Sequence, residues 1–193
     1  PGPSFYSVRP IGGFTMKRLI SFTTFLVTAI IPVFIIMTSI RLMFTPLFLQ
    51  FEYNRPDFPV DIYGFSTADR LKYGGLSMQY LLNRSGIDFL EEINLADGSP
   101  LYNQRELSHM LDVKILLQNM IIAWIILFIL LMLIGVWAWR SNWLKKFCLS
   151  WSYGGWLTLG LIFAILLGVA LSFNWLFTNF HLIFFSGDTW LFS

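Results

Sequence analysis

The chain has 193 residues, of which 56% are apolar and only 12% charged. Soluble domains carry about 25% charged residues, and a domain of this length has no interior able to bury apolar runs of about 20 residues, so the solvent for those runs is lipid. With a net charge of only +2 and no glycine-rich phosphate loop, nucleotide or nucleic-acid binding gains no support. Cys148, the single cysteine, excludes an intrachain disulfide and a thiolate zinc cluster.

In chain order, Met16 followed by Lys17 and Arg18 reads as a natural start. Residues 1–18 are therefore expected to form a cytoplasmic N-terminal segment, with 1–15 as a non-native extension. A first span is predicted over residues 19–42. It is interrupted by Pro32, which a spanning helix tolerates as a kink. A cleaved signal peptide is the alternative, but that needs a short apolar core and a small-residue cleavage site. This run is long and leaves through Arg41-Leu42-Met43-Phe44. A second span is predicted over 115–139, closing on Trp137 and Trp139, and a third over 151–177, flanked by Trp151, Trp156 and Trp175, as expected of interfacial belts.

Between the first two spans, residues 43–114 turn polar. Ser66-Thr67-Ala68-Asp69 is a capping box that predicts a helix from Thr67 to about Asn83, whose Leu71, Met78, Leu81 and Leu82 are expected to pack down on the membrane. Asn103 followed by Glu106 is a second capping arrangement, from which one helix is expected to run unbroken into the second span. Charge sets the expected orientation. Arg9, Lys17 and Arg18 precede the first span and Arg140, Lys145 and Lys146 lie in the basic loop 140–150, with no acid in either place. From Arg41 to Lys114 there are 7 basic and 10 acidic residues, a net of −3. Retained positive charge marks the cytoplasmic side, so the long loop is expected outside as a small helical cap. The expected fold is an all-α membrane bundle of three spans, with an interfacial extracytoplasmic segment at 178–193.

This topology puts both histidines at the outer interface, His109 just before the second span and His181 just after the third. Each is also readable as an amphipathic interface residue with a solvated tip. As a working pair, imidazoles suit proton transfer near neutral pH, and Asp112 and Asp188 stand close enough in sequence to orient them. Glu106, His109 and Asp112 recur at spacings of three, which gathers them on one helix face. Asp188 has a second reading as a helix cap in Ser186-Gly187-Asp188. Lys114 and Arg105 can bind an anionic group or extend to lipid headgroups. A zinc site built from His109, His181 and an Asp competes for the same residues, yet no compact two-histidine motif is present. A serine triad through Ser108 or Ser186 lacks a nucleophile elbow. No cofactor or metal is expected.

Two motifs, Leu101-Tyr102-Asn103-Gln104-Arg105-Glu106-Leu107-Ser108-His109-Met110-Leu111-Asp112-Val113-Lys114 and Phe180-His181 followed by Phe184-Phe185-Ser186-Gly187-Asp188-Thr189-Trp190, resemble those of the bacterial lipoprotein intramolecular transacylase family. The resemblance runs from Met16 through most of the chain and includes Tyr63-Gly64-Phe65. It implies a multi-pass protein of the bacterial cell membrane with a fourth span. The implied activity moves the sn-2 acyl chain of a diacylglyceryl lipoprotein to the α-amine of its N-terminal cysteine. His109 and His181 match the family's essential pair, with Glu106, Asp112, Lys114, Asp188 and Trp190 in supporting or substrate-orienting positions. The implied partners are the lipoprotein and membrane lipid, with the oligomeric state open. A non-catalytic, lipid-binding envelope accessory and a zinc-dependent outer-leaflet hydrolase are the alternatives.

Overall fold

The computed structural model describes residues 12–185 and residue 190. All regular structure among them is helical: α1 (Gly12–Met43), α2 (Pro46–Tyr53), α3 (Thr67–Leu82), α4 (Asp88–Glu91), α5 (Gln104–Arg140) and α6 (Leu144–Phe184). Three are long and apolar enough to cross a membrane, over Thr15–Met43, Gln104–Arg140 and Leu144–Phe184. Their side chains stay largely exposed to the surroundings, as lipid-facing residues must. The chain is a membrane protein.

The long helices assemble through small side chains. On α6, Ser150, Gly154 and Thr158 recur at spacings of four and are buried, facing Val27 and Ile31 of α1, which are fully buried. In lipid, where apolar surface gains little from association, close approach of backbones over small residues drives helix pairing. The Thr28 hydroxyl also reaches the Ser150 carbonyl at 3.4 Å. Leu131 of α5 joins Val27 and Ile31 in one cluster, and the Trp124 indole N–H donates to Thr38 Oγ1 at 2.9 Å. The α5–α6 turn is three residues long. It is made possible by Asn142 in the left-handed region at φ 58°, a conformation Asn adopts more readily than most residues. The expected basic loop 140–150 is accordingly mostly helix: α6 starts at Leu144, and Lys145 and Lys146 lie in its first turn.

Both capping boxes form. Ser66 Oγ accepts from Asp69 N at 3.1 Å while Asp69 Oδ2 accepts from Ser66 N at 3.0 Å. The Ser66 hydroxyl and backbone N–H together hold the Asp69 carboxyl below the usual carboxylate range. Asn103 and Glu106 make the equivalent reciprocal pair at the start of α5. From there α5 runs 37 residues without a break, about 55 Å at 1.5 Å per residue, against roughly 30 Å of hydrocarbon. Its N-terminal part therefore has to find protein rather than lipid to pack on, and α3 and α4 supply it. Tyr80, Leu81 and Leu90 close on Leu107 and Leu117, with Ile40 of α1 and Phe44 just after it at the edge. Leu81 thus faces the protein interior instead of the membrane, because the α5 flank it covers is itself apolar.

The α1–α6 contact yields the first prediction. A Cβ at position 154 would sit 2.5 Å from Ile31 Cβ, whereas at Gly155 it would meet nothing within 4 Å. Overpacking of this kind costs about 1–3 kcal/mol. Thermal unfolding in detergent should show Gly154→Ala clearly destabilised and Gly155→Ala unchanged.

Candidate functional site

His109 lies in the second turn of α5 and His181 in the last turn of α6. Two straight antiparallel helices would not bring these positions into contact, because α6 would carry His181 past the start of α5. The structure solves this with a break. Ser172 leaves the helical region for φ −164° and ψ 92°, and its hydroxyl accepts from Trp175 N at 3.4 Å. Ser172 is thus the N-cap of a new helical arm over residues 173–184. Leu176 folds back until its methyls lie 3.9 Å from where a Cβ on Gly168 would be. The third span expected over 151–177 is therefore two arms, and the second carries His181 toward α5.

The result is a pair of facing imidazoles. The ring centroids of His109 and His181 lie 6.3 Å apart with planes inclined by 30°, and both residues are partly buried. A direct N–H···N hydrogen bond would require centroids about 5 Å apart, given N–H···acceptor distances near 3 Å. At the observed separation the rings do not bond each other, but one small group between them can reach a nitrogen of each.

His181 is held tightly. Its Nδ1 lies 2.8 Å from the Phe177 carbonyl oxygen; since a carbonyl only accepts, Nδ1 carries the proton. Nε2 is left as the working nitrogen, a lone pair when the ring is neutral and a donor when it is charged. Aromatic rings enclose the pair. Phe177 lies 4.0 Å from the His181 centroid, Trp190 4.8 Å, Phe180 5.4 Å and Phe185 5.5 Å, and Phe185 also stands 5.2 Å from His109. Trp190 is buried and packs edge-on against Phe177.

The remaining expected site residues separate. Asp112 follows His109 by three residues on the same face and acts on it electrostatically. Glu106 instead spends Oε2 on Asn103 N at 2.8 Å, as the reciprocal half of the cap. Lys114 is turned away from both headgroups and histidines: its amine donates to Ser85 O at 2.6 Å and Asn83 Oδ1 at 3.2 Å and stands 3.9 Å over the Tyr80 ring. With Gln118, which donates to Leu81 O and Asn83 O, it closes the end of α3 that no C-cap glycine satisfies. Asp188 and Ser186 lie outside the described residues. Ser172 and Phe177 were not singled out in the sequence. The available signal for Ser172 was a hydroxyl three residues before an aromatic inside an otherwise apolar run, which is weak.

Three long apolar helices bearing a histidine pair at the meeting of two of them define a multi-pass membrane protein with a paired-imidazole centre. The profile of the lipoprotein intramolecular transacylase (Lit) family matches residues 25–193, and the chain belongs to that family. An uncharacterized protein of Aquifex aeolicus (strain VF5) is 31% identical over 99 residues, which is 51% of this chain and 44% of that protein. The chain spans less than half the length of this curated relative. No solved structure matches the chain.

The geometry at Glu106 separates capping from proton transfer. A capping box accepts Gln at this position as well as Glu, whereas an acid or base needs the carboxyl. Glu106→Gln should retain parent stability and activity, while Glu106→Ala should lose about 1 kcal/mol, the usual effect of removing a cap. Thermal unfolding and turnover measured side by side check this.

Proposed function

We propose that the chain catalyses transfer of the sn-2 acyl group of a diacylglyceryl lipoprotein to the α-amine of its N-terminal cysteine, with His109 and His181 carrying the protons. The observation that supports this most strongly is the 6.3 Å approach of two imidazoles from separate helices, achieved through a dedicated break in α6, in a chain of the transacylase family. The positive-inside asymmetry of Lys17, Arg18, Arg140, Lys145 and Lys146 favours an orientation with the histidines at the extracytoplasmic face and α2–α4 as the outer cap.

The reaction needs no outside reactant. The amine nitrogen attacks the ester carbonyl carbon, an N–C bond forms, and the tetrahedral intermediate collapses with loss of the glyceryl oxygen. One proton leaves the nitrogen and one arrives at that oxygen, giving an amide and a free sn-2 hydroxyl. A neutral imidazole takes the first proton and a protonated one delivers the second. We assign the first role to His109 and the second to His181, whose Nε2 is directed by the Phe177 contact. The protonated Nε2–H can also stabilise the oxyanion. Phe180, Phe185 and Trp190 give acyl chains an apolar wall and limit access of water to the ester. Because amine and ester belong to one molecule, holding them together can supply effective molarities of roughly 10⁵ M or more.

Replacing either histidine by Ala or Gln in the full-length protein should slow conversion by about 10²- to 10⁴-fold. The readout is mass spectrometry of the lipoprotein N-terminus, with membrane insertion confirmed separately. Conversion at the parent rate by both variants would falsify the assignment. Turnover should also fall as the pH drops and the base takes up a proton, because it is competent only when neutral; a rate that rises steadily toward low pH is incompatible with the assignment.

A further inference from the structure

Toward the end of the bundle opposite the histidines, α1 carries Lys17 and Arg18 and α6 carries Lys145 and Lys146, the α6 pair level with residues 22–24 of α1 and the α1 pair about one and a half turns further out. The alignment is set by the neighbouring contacts Thr28–Ser150 and Ile31–Gly154. No acidic residue occurs from 1 to 51 or from 113 to 187 of the sequence. Beside Lys146, a cavity of about 370 Å³ opens between α1 and α6. Ser21, Thr24, Ser150 and Lys146 form its polar side, and Phe25 and Leu149 its apolar side. Thr24 Oγ1 donates to Ser21 O at 2.8 Å and Ser150 Oγ to Lys146 O at 3.0 Å. Those hydroxyl protons are therefore committed to their own helices. The Lys146 amine, which is exposed and forms no ion pair among the described residues, and the Ser21 hydroxyl are left as donors for an incoming anion.

We propose that this groove is a binding site for an anionic phospholipid, its phosphate on Lys146 and Ser21 and one acyl chain along Phe25 and Leu149. A soluble anion would satisfy the cations but leave the apolar wall facing water; Phe25 alone is 68% exposed. A zwitterionic lipid would fill the wall but bring its own positive charge toward four cations. Only a ligand with a negative head and an apolar tail answers both sides, and basic pockets between spanning helices are a recurrent way of holding such lipids. The charged group extends to the headgroup level while its methylenes line the groove. The site stands apart from the histidine pair and does not depend on the acyl-transfer reading.

Native mass spectrometry of the purified full chain, released from detergent containing equal phosphatidylglycerol and phosphatidylcholine of matched chains, tests the assignment. Phosphatidylglycerol should be retained in preference. Lys146→Gln should weaken that retention about fivefold, the effect of one Lys or Arg near an anionic lipid surface. Lys145→Gln removes the same charge outside the groove and should leave retention close to the parent value. Millimolar inorganic phosphate should not displace the lipid. Equal retention of the two lipids, equal losses in the two lysine variants, or displacement by inorganic phosphate alone would each overturn the proposal. The last of these outcomes would identify a soluble-anion site instead.

Discussion

Inside hydrocarbon every backbone N–H and C=O needs a partner within the protein, so a spanning segment is held to the helix and its side chains follow in fixed order along a straight rod. Side chains that straight rods would carry past one another can converge only where one rod breaks at a place able to re-satisfy the groups set free. Ser172 is that place. Its extended backbone conformation ends the long arm of α6, and its hydroxyl takes up the Trp175 N–H that the broken ladder exposes. The 173–184 arm then starts in a new direction and brings His181 to His109. Without the break, the Phe177 carbonyl that fixes the His181 tautomer and the Phe180 ring beside it would still travel with the histidine. They would travel with it past the start of α5.

The other half of the pair owes its position to protein packing beyond the bilayer. The N-terminal part of α5 is started by the Asn103–Glu106 box and laterally supported by α3 and α4 through Tyr80, Leu81, Leu90 and Leu107. Lys114 and Gln118 tie the end of α3 to α5 from the flank that does not carry His109. A buried lysine is costly unless its donors are used and its charge compensated. Here two oxygens and the face of Tyr80 do that. The long loop is thus joined to the site as a scaffold: it clamps one face of α5 so that the opposite face can hold an imidazole in place.

What the sequence made legible follows the range of the forces involved. The three apolar runs and both capping boxes depend on residues within four positions of each other, and Ser66, Asp69, Asn103 and Glu106 act as their spacing predicts. The two histidines stood out because an isolated imidazole at each of two span ends is uncommon in a chain this apolar. The break at Ser172 carries neither proline nor glycine, so local propensity does not announce it. Lys114, expected at a headgroup or an anionic group, bonds Asn83 and Ser85 instead, and these lie about 30 residues away in sequence, beyond the reach of local patterns. The placement of Leu81 failed for the same reason. Its apolar character was plain, but which of two apolar surroundings it entered, lipid or the flank of α5, is decided by tertiary packing.

The paired imidazoles also bear on why the proposed acyl transfer would need so little further machinery. Aminolysis of an ester releases a proton from nitrogen and consumes one at oxygen, so the centre returns to its starting protonation state once the two rings have exchanged a single proton. At 6.3 Å a shared group can carry that exchange, whereas two imidazolium rings at the same distance would repel one another. The proposed roles, one ring as base and the other as acid, avoid that repulsion. A serine or cysteine nucleophile would add a covalent stage and expose an acyl-enzyme to water. An amine already tethered to its ester has effective molarities that solvent water does not approach, and the aromatic wall of Phe177, Phe180, Phe185 and Trp190 biases the competition further by offering water few polar partners. For the proposed substrate, positioning and one mobile proton are sufficient chemistry, and two histidines on re-aimed helix ends provide both.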